Sequence, residues 1–187
     1  MEVNFEQILE QSNKIKNYIK TEVAEFSDEK LNWKASEKRW SILEVISHLN
    51  RVYEKYLDNF QLAIDSAPEL SSDEVLEYQS TILGRLSIYS MKPKGEKRRF
   101  KMKTFDFFNP ISEPDKKNET IDLFLTNKEA FNELIRQARV KNLKDIKMPT
   151  ALGEKMKFYV PECFRFILAH EQRHIVQIAS IIKGQSI

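Results

Sequence analysis

Apolar residues recur at helical spacing through four long stretches of the chain. Across residues 4–24, Phe5, Ile8, Leu9, Ile15, Tyr18 and Ile19 return with Lys, Glu and Asn between them, the signature of a helix with one buried face. Asn4 stands in the N-cap position. Residues 25–38 read as a polar connection that holds Leu31 and Trp33. The second helix opens on Ser41-Ile42-Leu43-Glu44, a capping box in which Ser and Glu each satisfy one free backbone amide. Its apolar stripe is Leu43, Val45, Ile46, Leu49, Val52, Tyr53, Tyr56, Leu57 and Phe60. Pro68 disfavours helix at the residue before it, which places the end near Ser66. The third helix covers residues 119–140, with Ile121, Phe124, Leu125, Phe131, Leu134 and Ile135 inward. The fourth runs from Pro161, a good first-turn residue, to Lys183, with Gly184 as its C′ stop.

The stretch between the second and third helices, residues 69–118, is patterned less clearly. Residues 74–90 have room for one more amphipathic helix. Lys92, Lys94, Lys97, Arg98, Arg99, Lys101 and Lys103 then form a basic run broken by Glu96. Such a run reads as a solvated loop before it reads as a contact for nucleic acid or an anionic thiol. Phe105, Phe107, Phe108 and Pro110 follow, and aromatics in a loop are expected to tuck it onto the body. Residues 141–159 form another connection, with Pro149 and Gly153. No strand pattern, repeat or low-complexity tract stands out. The expected fold is all-α: a four-helix bundle with elaborated connections, one domain over residues 1–187.

Composition narrows the function classes. Four glycines and six prolines supply few tight turns for a β-sandwich. A formal net charge of +2 is too small for a protein built to grip nucleic acid non-specifically. The single cysteine, Cys163, excludes an intramolecular disulfide. No apolar run approaches the ~18 residues of a membrane span, and the N-terminus lacks the apolar core of a signal peptide. The expected setting is cytoplasmic, with no membrane partner.

The chain has three histidines, His48, His170 and His174, and each falls on a face expected to point inward. His170 and His174 are four apart, so they rise from one side of the last helix about one turn apart. Cys163, Gln177 and Ile181 lie on the same stripe. His48 shares its side of the second helix with Val45, Leu49 and Val52. Packing these two helices together brings three imidazoles to one place, as metal sites in bundle cores are commonly built. The competing reading is a set of satisfied core histidines, commonest for a lone one. The string His170-Glu171-Gln172-Arg173-His174 also matches the H-E-x-x-H of zinc peptidases. Only thirteen residues follow His174, though, and the position where a metzincin carries its third histidine is Ser180. That argues against a peptidase.

Two blocks carry a family resemblance: Trp40-Ser41-Ile42-Leu43-Glu44-Val45-Ile46-Ser47-His48-Leu49, and Phe166-Ile167-Leu168-Ala169-His170-Glu171-Gln172-Arg173-His174-Ile175-Val176-Gln177. In these the chain resembles the DinB/YfiT-like superfamily. The resemblance implies an up-down-down-up four-helix bundle, often a homodimer, with nickel or zinc on His48, His170 and His174. It also implies a metal-dependent enzyme on a small-molecule substrate, either a thiol S-transferase using a low-molecular-weight thiol such as bacillithiol or a hydrolase. The alternative is a non-catalytic metal-binding or stress-induced bundle. Three neutral imidazoles leave a metal its full charge and an open position, which suits activation of water or a thiol.

Three residues are candidate helpers. Glu44, one turn before His48, can orient its ring, although the capping box accounts for it without a metal. Gln177 can hydrogen-bond a histidine ring, and Arg173 can meet an anionic substrate. Cys163, ~10 Å along the helix from His170, is expected to be a small buried apolar residue, and Trp40 a core-packing one.

Overall fold

The computed structural model describes residues 4–71, 78, 80–100, 104–110, 116–151 and 153–185. Four long helices carry the fold: α1 (Phe5–Tyr18), α3 (Ile42–Asp65), α5 (Lys117–Ala138) and α6 (Val160–Gln185). Between them lie α2 (Asp28–Asn32), α4 (Ile82–Met91), a 3-10 turn (Asp106–Phe108) and the hairpin of β1 (Lys147–Thr150) with β2 (Gly153–Tyr159). The local signals act as expected at the helix starts. The Asn4 side chain accepts from the Gln7 amide at 2.8 Å. The capping box of α3 is formed in full, with the Glu44 amide donating to Ser41 Oγ and the Ser41 amide to Glu44 Oε2. Past Tyr18, α1 continues as a π-helical turn, Ile19–Val23, whose end residues Ile19 and Val23 are fully buried.

The side-chain pairs between helices fix their directions. On α1 and α6, Phe5 meets Phe164 and Gln11 meets Gln172, so the two run parallel. On α3 and α5, Asn50 reaches Thr120 and Gln61 reaches Gln137, again parallel. Across α1 and α5, Glu6 pairs with Arg139 and Lys16 with Glu129, an antiparallel order. Across α3 and α6, His48 lies by His174 and Phe60 by Phe164, also antiparallel. The topology is therefore up-down-down-up. Its centre is aromatic: Phe60 stacks on Phe164 at 4.2 Å between centroids, and Phe131 meets both. Each such buried ring contributes ~2–3 kcal/mol by area alone.

A charged pair sits in this core. Lys128 of α5 and Glu171 of α6 are 0% and 1% exposed, and Lys128 Nζ lies 2.6–2.7 Å from both carboxylate oxygens. The Tyr53 hydroxyl of α3 donates to the same carboxylate. Burial pushes the Lys128 ammonium down, opposed by Glu171. It pushes the Tyr53 hydroxyl well up, reinforced by Glu171.

Three sequence expectations need correction. The connection before α6 is not strandless: β1 and β2 pair antiparallel, Met148 opposite Phe158. Alternation at Lys155-Met156-Lys157-Phe158 marks the strand, but over too short a span to compete with the surrounding helical periodicity. Gly184 does not stop α6, which includes it and continues to Gln185; there the glycine lies against the Trp33 ring. The extra helix for which residues 74–90 have room is α4, which starts at Ile82, while residues 72–77 and 79 lie outside the described set. Of the loop aromatics only Phe108 is buried, while Phe105 and Phe107 stack on each other in the open. Of the basic run, Lys101 and Lys103 are outside the described residues.

The inserted helix is anchored by an acid. The Glu162 carboxylate, fully buried, accepts from the Thr81 amide and from the Ser80 hydroxyl. A β-carbon on Gly84 would come within 2.4 Å of that carboxylate, so any larger residue here would have to displace the buried Glu162 side chain from its partners.

Breaking a buried ion pair from one side is costly. Replacing Lys128 by Met is expected to lower unfolding free energy by about 3–5 kcal/mol. The double variant Lys128→Met/Glu171→Leu should regain much of that loss in the same urea titration.

Candidate metal centre

His48 lies two turns into α3, and His170 and His174 lie one turn apart on α6. The antiparallel contact of these helices turns all three rings toward one point. His170 Nε2 is 3.3 Å from His48 Nε2 and 3.1 Å from His174 Nε2. One ligand atom from each ring falls within 4.8 Å of the other two, and all three residues are buried. Apolar and aromatic groups wall them in: Trp40 at 5.0 Å from His48 and stacked over His174, and Phe166 stacked on His170.

The outer nitrogens decide which atoms face inward. His48 Nδ1 lies 2.7 Å from the Phe108 carbonyl oxygen, which can only accept, so Nδ1 carries the proton and donates. His174 Nδ1 lies 3.1 Å from Gln177 Oε1, again an acceptor. Both rings therefore present bare Nε2 lone pairs to the centre. His170 Nδ1 is buried and finds no partner among the described residues. A proton on His170 Nε2 can serve one of the two facing lone pairs, not both. A cation satisfies all three at once, and a tetrahedral ion with bonds of ~2.0–2.1 Å spaces its ligand atoms roughly 3.3 Å apart. The residues fit a divalent transition metal.

The electrostatics agree. Burial pushes the His48 imidazolium down, with Phe108 opposing and Arg51 adding to it. His170 and His174 are pushed well below the ordinary value by burial first, then by neighbouring imidazoles and Arg173. Neutral imidazole, the ligand form, is what this site favours.

The helper candidates separate clearly. Glu44 does not orient His48: its carboxylate is taken by the Ser41 amide and by Lys34 Nζ at 2.6 Å. The Phe108 carbonyl does that work instead, and a main-chain acceptor from a distant loop leaves no trace in the residue pattern. Gln177 does meet a histidine ring, and its Oε1 also accepts from Arg98 Nη1. Arg173 is 5% exposed and lines the cavity beside the histidines. Trp40 is a wall of that cavity as well as a packing residue. Cys163 is buried with its thiol pushed up by burial, as a small apolar core residue should be. Glu171 of the H-E-x-x-H string points away from the histidines to Lys128 and Tyr53, so it is unavailable as the general base a peptidase needs.

Above the three imidazoles opens a cavity of about 900 Å³. The hairpin supplies part of its wall through Thr150, Ala151 and Phe158, and the segment after α4 supplies Arg98, Phe105 and Asp106. Asp106 escaped the sequence reading because its loop shows no periodicity, and Arg98, read there as part of a basic run, carries no local sign that it reaches the cavity.

The pH dependence of stability has a defined sign. Histidines held neutral below their ordinary value of about 6.5 bind fewer protons folded than unfolded. Stability is then lost as pH falls below ~6.5, by up to ~1.4 kcal/mol per pH unit for each histidine. Urea midpoints of metal-free protein between pH 7 and 5 should show this slope, and His48→Gln should reduce it.

Among the described residues no helix is long and apolar enough to cross a membrane. No curated protein and no solved structure matches the chain. A family model described as the DinB superfamily matches residues 16–178, a span that holds all three histidines and most of both helices bearing them. On that match, joined to the up-down-down-up bundle and its convergent imidazoles, the chain belongs to the DinB superfamily.

Proposed function

We propose that this chain is a metal-dependent enzyme acting on a small molecule, with a divalent transition metal, nickel or zinc, held by His48, His170 and His174. The observation that carries the reading is the inward-facing set of Nε2 atoms, spaced 3.1 and 3.3 Å from His170. When bound, such an ion supplies the Lewis-acid charge that makes a nucleophile of water or a thiol near neutral pH. Thiol S-transfer and hydrolysis are the two reactions that suit it, the first with a low-molecular-weight thiol such as bacillithiol. A homodimer in the cytoplasm is the setting this reading implies.

The chain's own residues have definite tasks in this proposal. Phe108 and Gln177 hold protons on the outer nitrogens of His48 and His174, which keeps the inner nitrogens free. Trp40, Phe158 and Phe166 give the cavity apolar walls that exclude water from the reacting groups. Cys163 is absent from the cavity lining, so any thiol nucleophile comes from outside the chain. The large cavity directly over the histidines favours an enzyme over a bundle that merely stores metal.

Elemental analysis of protein purified without a polyhistidine tag tests the reading. About one equivalent of metal is expected, reduced to background in His170→Ala/His174→Ala. Metal at 100 times its dissociation constant should stabilise the wild type by about 2.7 kcal/mol. Activity toward an electrophile that needs both thiol and metal selects the transferase; ester or amide cleavage without thiol selects the hydrolase. Metal content equal in wild type and variant would remove the site.

A further inference from the structure

The charged groups around the histidine cavity are strongly one-sided. Lys38, Arg39, Arg98 and Arg173 line it, and among the described residues the only acid that does so is Asp106. The chain as a whole carries only +2, so this is local segregation and not a general excess of base. The basic residues come from separate parts of the fold. Arg39 lies just before α3, Arg98 follows α4 and Arg173 is on α6 between the two ligand histidines. They are close enough to repel: Arg173 is lowered by burial and then by Arg98, and Arg98 by burial and then by Arg39.

None of the three arginines pairs with a carboxylate among the described residues, although acids elsewhere on the surface find cations readily, as Glu10 with Lys14 and Glu96 with Lys183 do. Arg173 is the telling case. It is 5% exposed, one terminal nitrogen donates to the Phe100 carbonyl, and the other, Nη1, is buried with no hydrogen-bond partner among the described residues. A buried guanidinium normally has its donors satisfied, and an unmet one is costly unless a ligand completes it. Arg98 reaches over the same wall, where its Nη1 donates to Gln177 at 3.2 Å. Its loop is held in place by the turn Lys94–Lys97, with Gly95 at φ 59°, and by Arg99 against Tyr89. Arg98 is thereby brought to the cavity wall, while Lys92, Lys94 and Lys97 of the same run stay exposed.

We propose that Arg39, Arg98 and Arg173 form an oxyanion-binding subsite on the wall of the histidine cavity, so that the molecule acted on carries a carboxylate or phosphate group held beside the three imidazoles. The proposal rests on the preceding reading only in treating the cavity as the reaction chamber; the binding of an anion there needs no metal. Forked guanidinium donors suit planar or tetrahedral oxyanions through paired hydrogen bonds. The position of Arg173 between His170 and His174 sets that group within one helical turn of the reacting centre.

Isothermal titration of the full chain with malonate, with pyrophosphate and with neutral malonamide, at fixed ionic strength, tests this. It is run on protein as purified and again after metal removal. Saturable binding of malonate or pyrophosphate, and none of malonamide, is expected in both preparations. The tighter of the two anions tells a carboxylate subsite from a phosphate one. Arg173→Gln should weaken binding about tenfold or more, as loss of hydrogen bonds to a charged group does. Arg98→Gln, at an exposed position, should weaken it several-fold and serves as the test if Arg173→Gln fails to fold. His170→Ala/His174→Ala should lose metal yet keep the anion. Absence of saturable binding by either anion, unchanged affinity in the arginine variants, or binding seen only with metal present would overturn the subsite. Loss of the metal result alone would instead remove the preceding reading and leave the subsite standing.

Discussion

A carboxylate with no access to water sets the rotation of α6. Glu171, fully buried, must lie where Lys128 and Tyr53 can reach it, because an unpaired charge in this core would consume a large part of the fold's margin of stability. Three helices are thereby pinned at one point. Once Glu171 faces α5 and α3 in the middle of the bundle, helical geometry turns His170 and His174 toward the N-terminal half of α3, where His48 waits. The polar node and the imidazole cluster are two consequences of one helix phase. A one-residue slip of α6 would strand the carboxylate and scatter the rings together.

Much of the bundle was readable because its signals are periodic and local. The Ser41–Glu44 capping box, the Asn4 cap and the apolar stripe of α3 each depend on neighbours within a few residues, and the structure realises them. The inward faces of the three histidines follow from the same arithmetic. The hairpin was harder, since four alternating residues with a proline nearby carry less weight than twenty helical ones. Gly184 misled because glycine ends helices only when the chain turns there, and here it serves close packing against Trp33. The Glu171–Lys128 pair also left no mark, since charges forty-three positions apart look like two ordinary surface residues until the fold buries them.

The cavity joins two kinds of chemistry that arise from different parts of the chain. Its floor is three neutral rings held by long helices and kept uncharged by burial. Its wall is cationic and comes partly from the segment that follows α4, a helix whose start is docked through Glu162 and the close approach at Gly84. Rigid helices suit a centre that must hold nitrogen atoms to within tenths of an ångström. A docked connection suits a surface that selects what enters.

The hydrogen bond from His48 to the main chain at Phe108 has a consequence for how this architecture can diversify. A carbonyl is present whatever side chain stands there, so substitutions at this position leave the imidazole's partner chemically intact. A change in the length of the connection does not, because it moves the carbonyl itself. Variation by point replacement and variation by insertion or deletion are thus felt differently at the centre. The first reshapes the entrance and the second disturbs the proton that keeps one nitrogen bare.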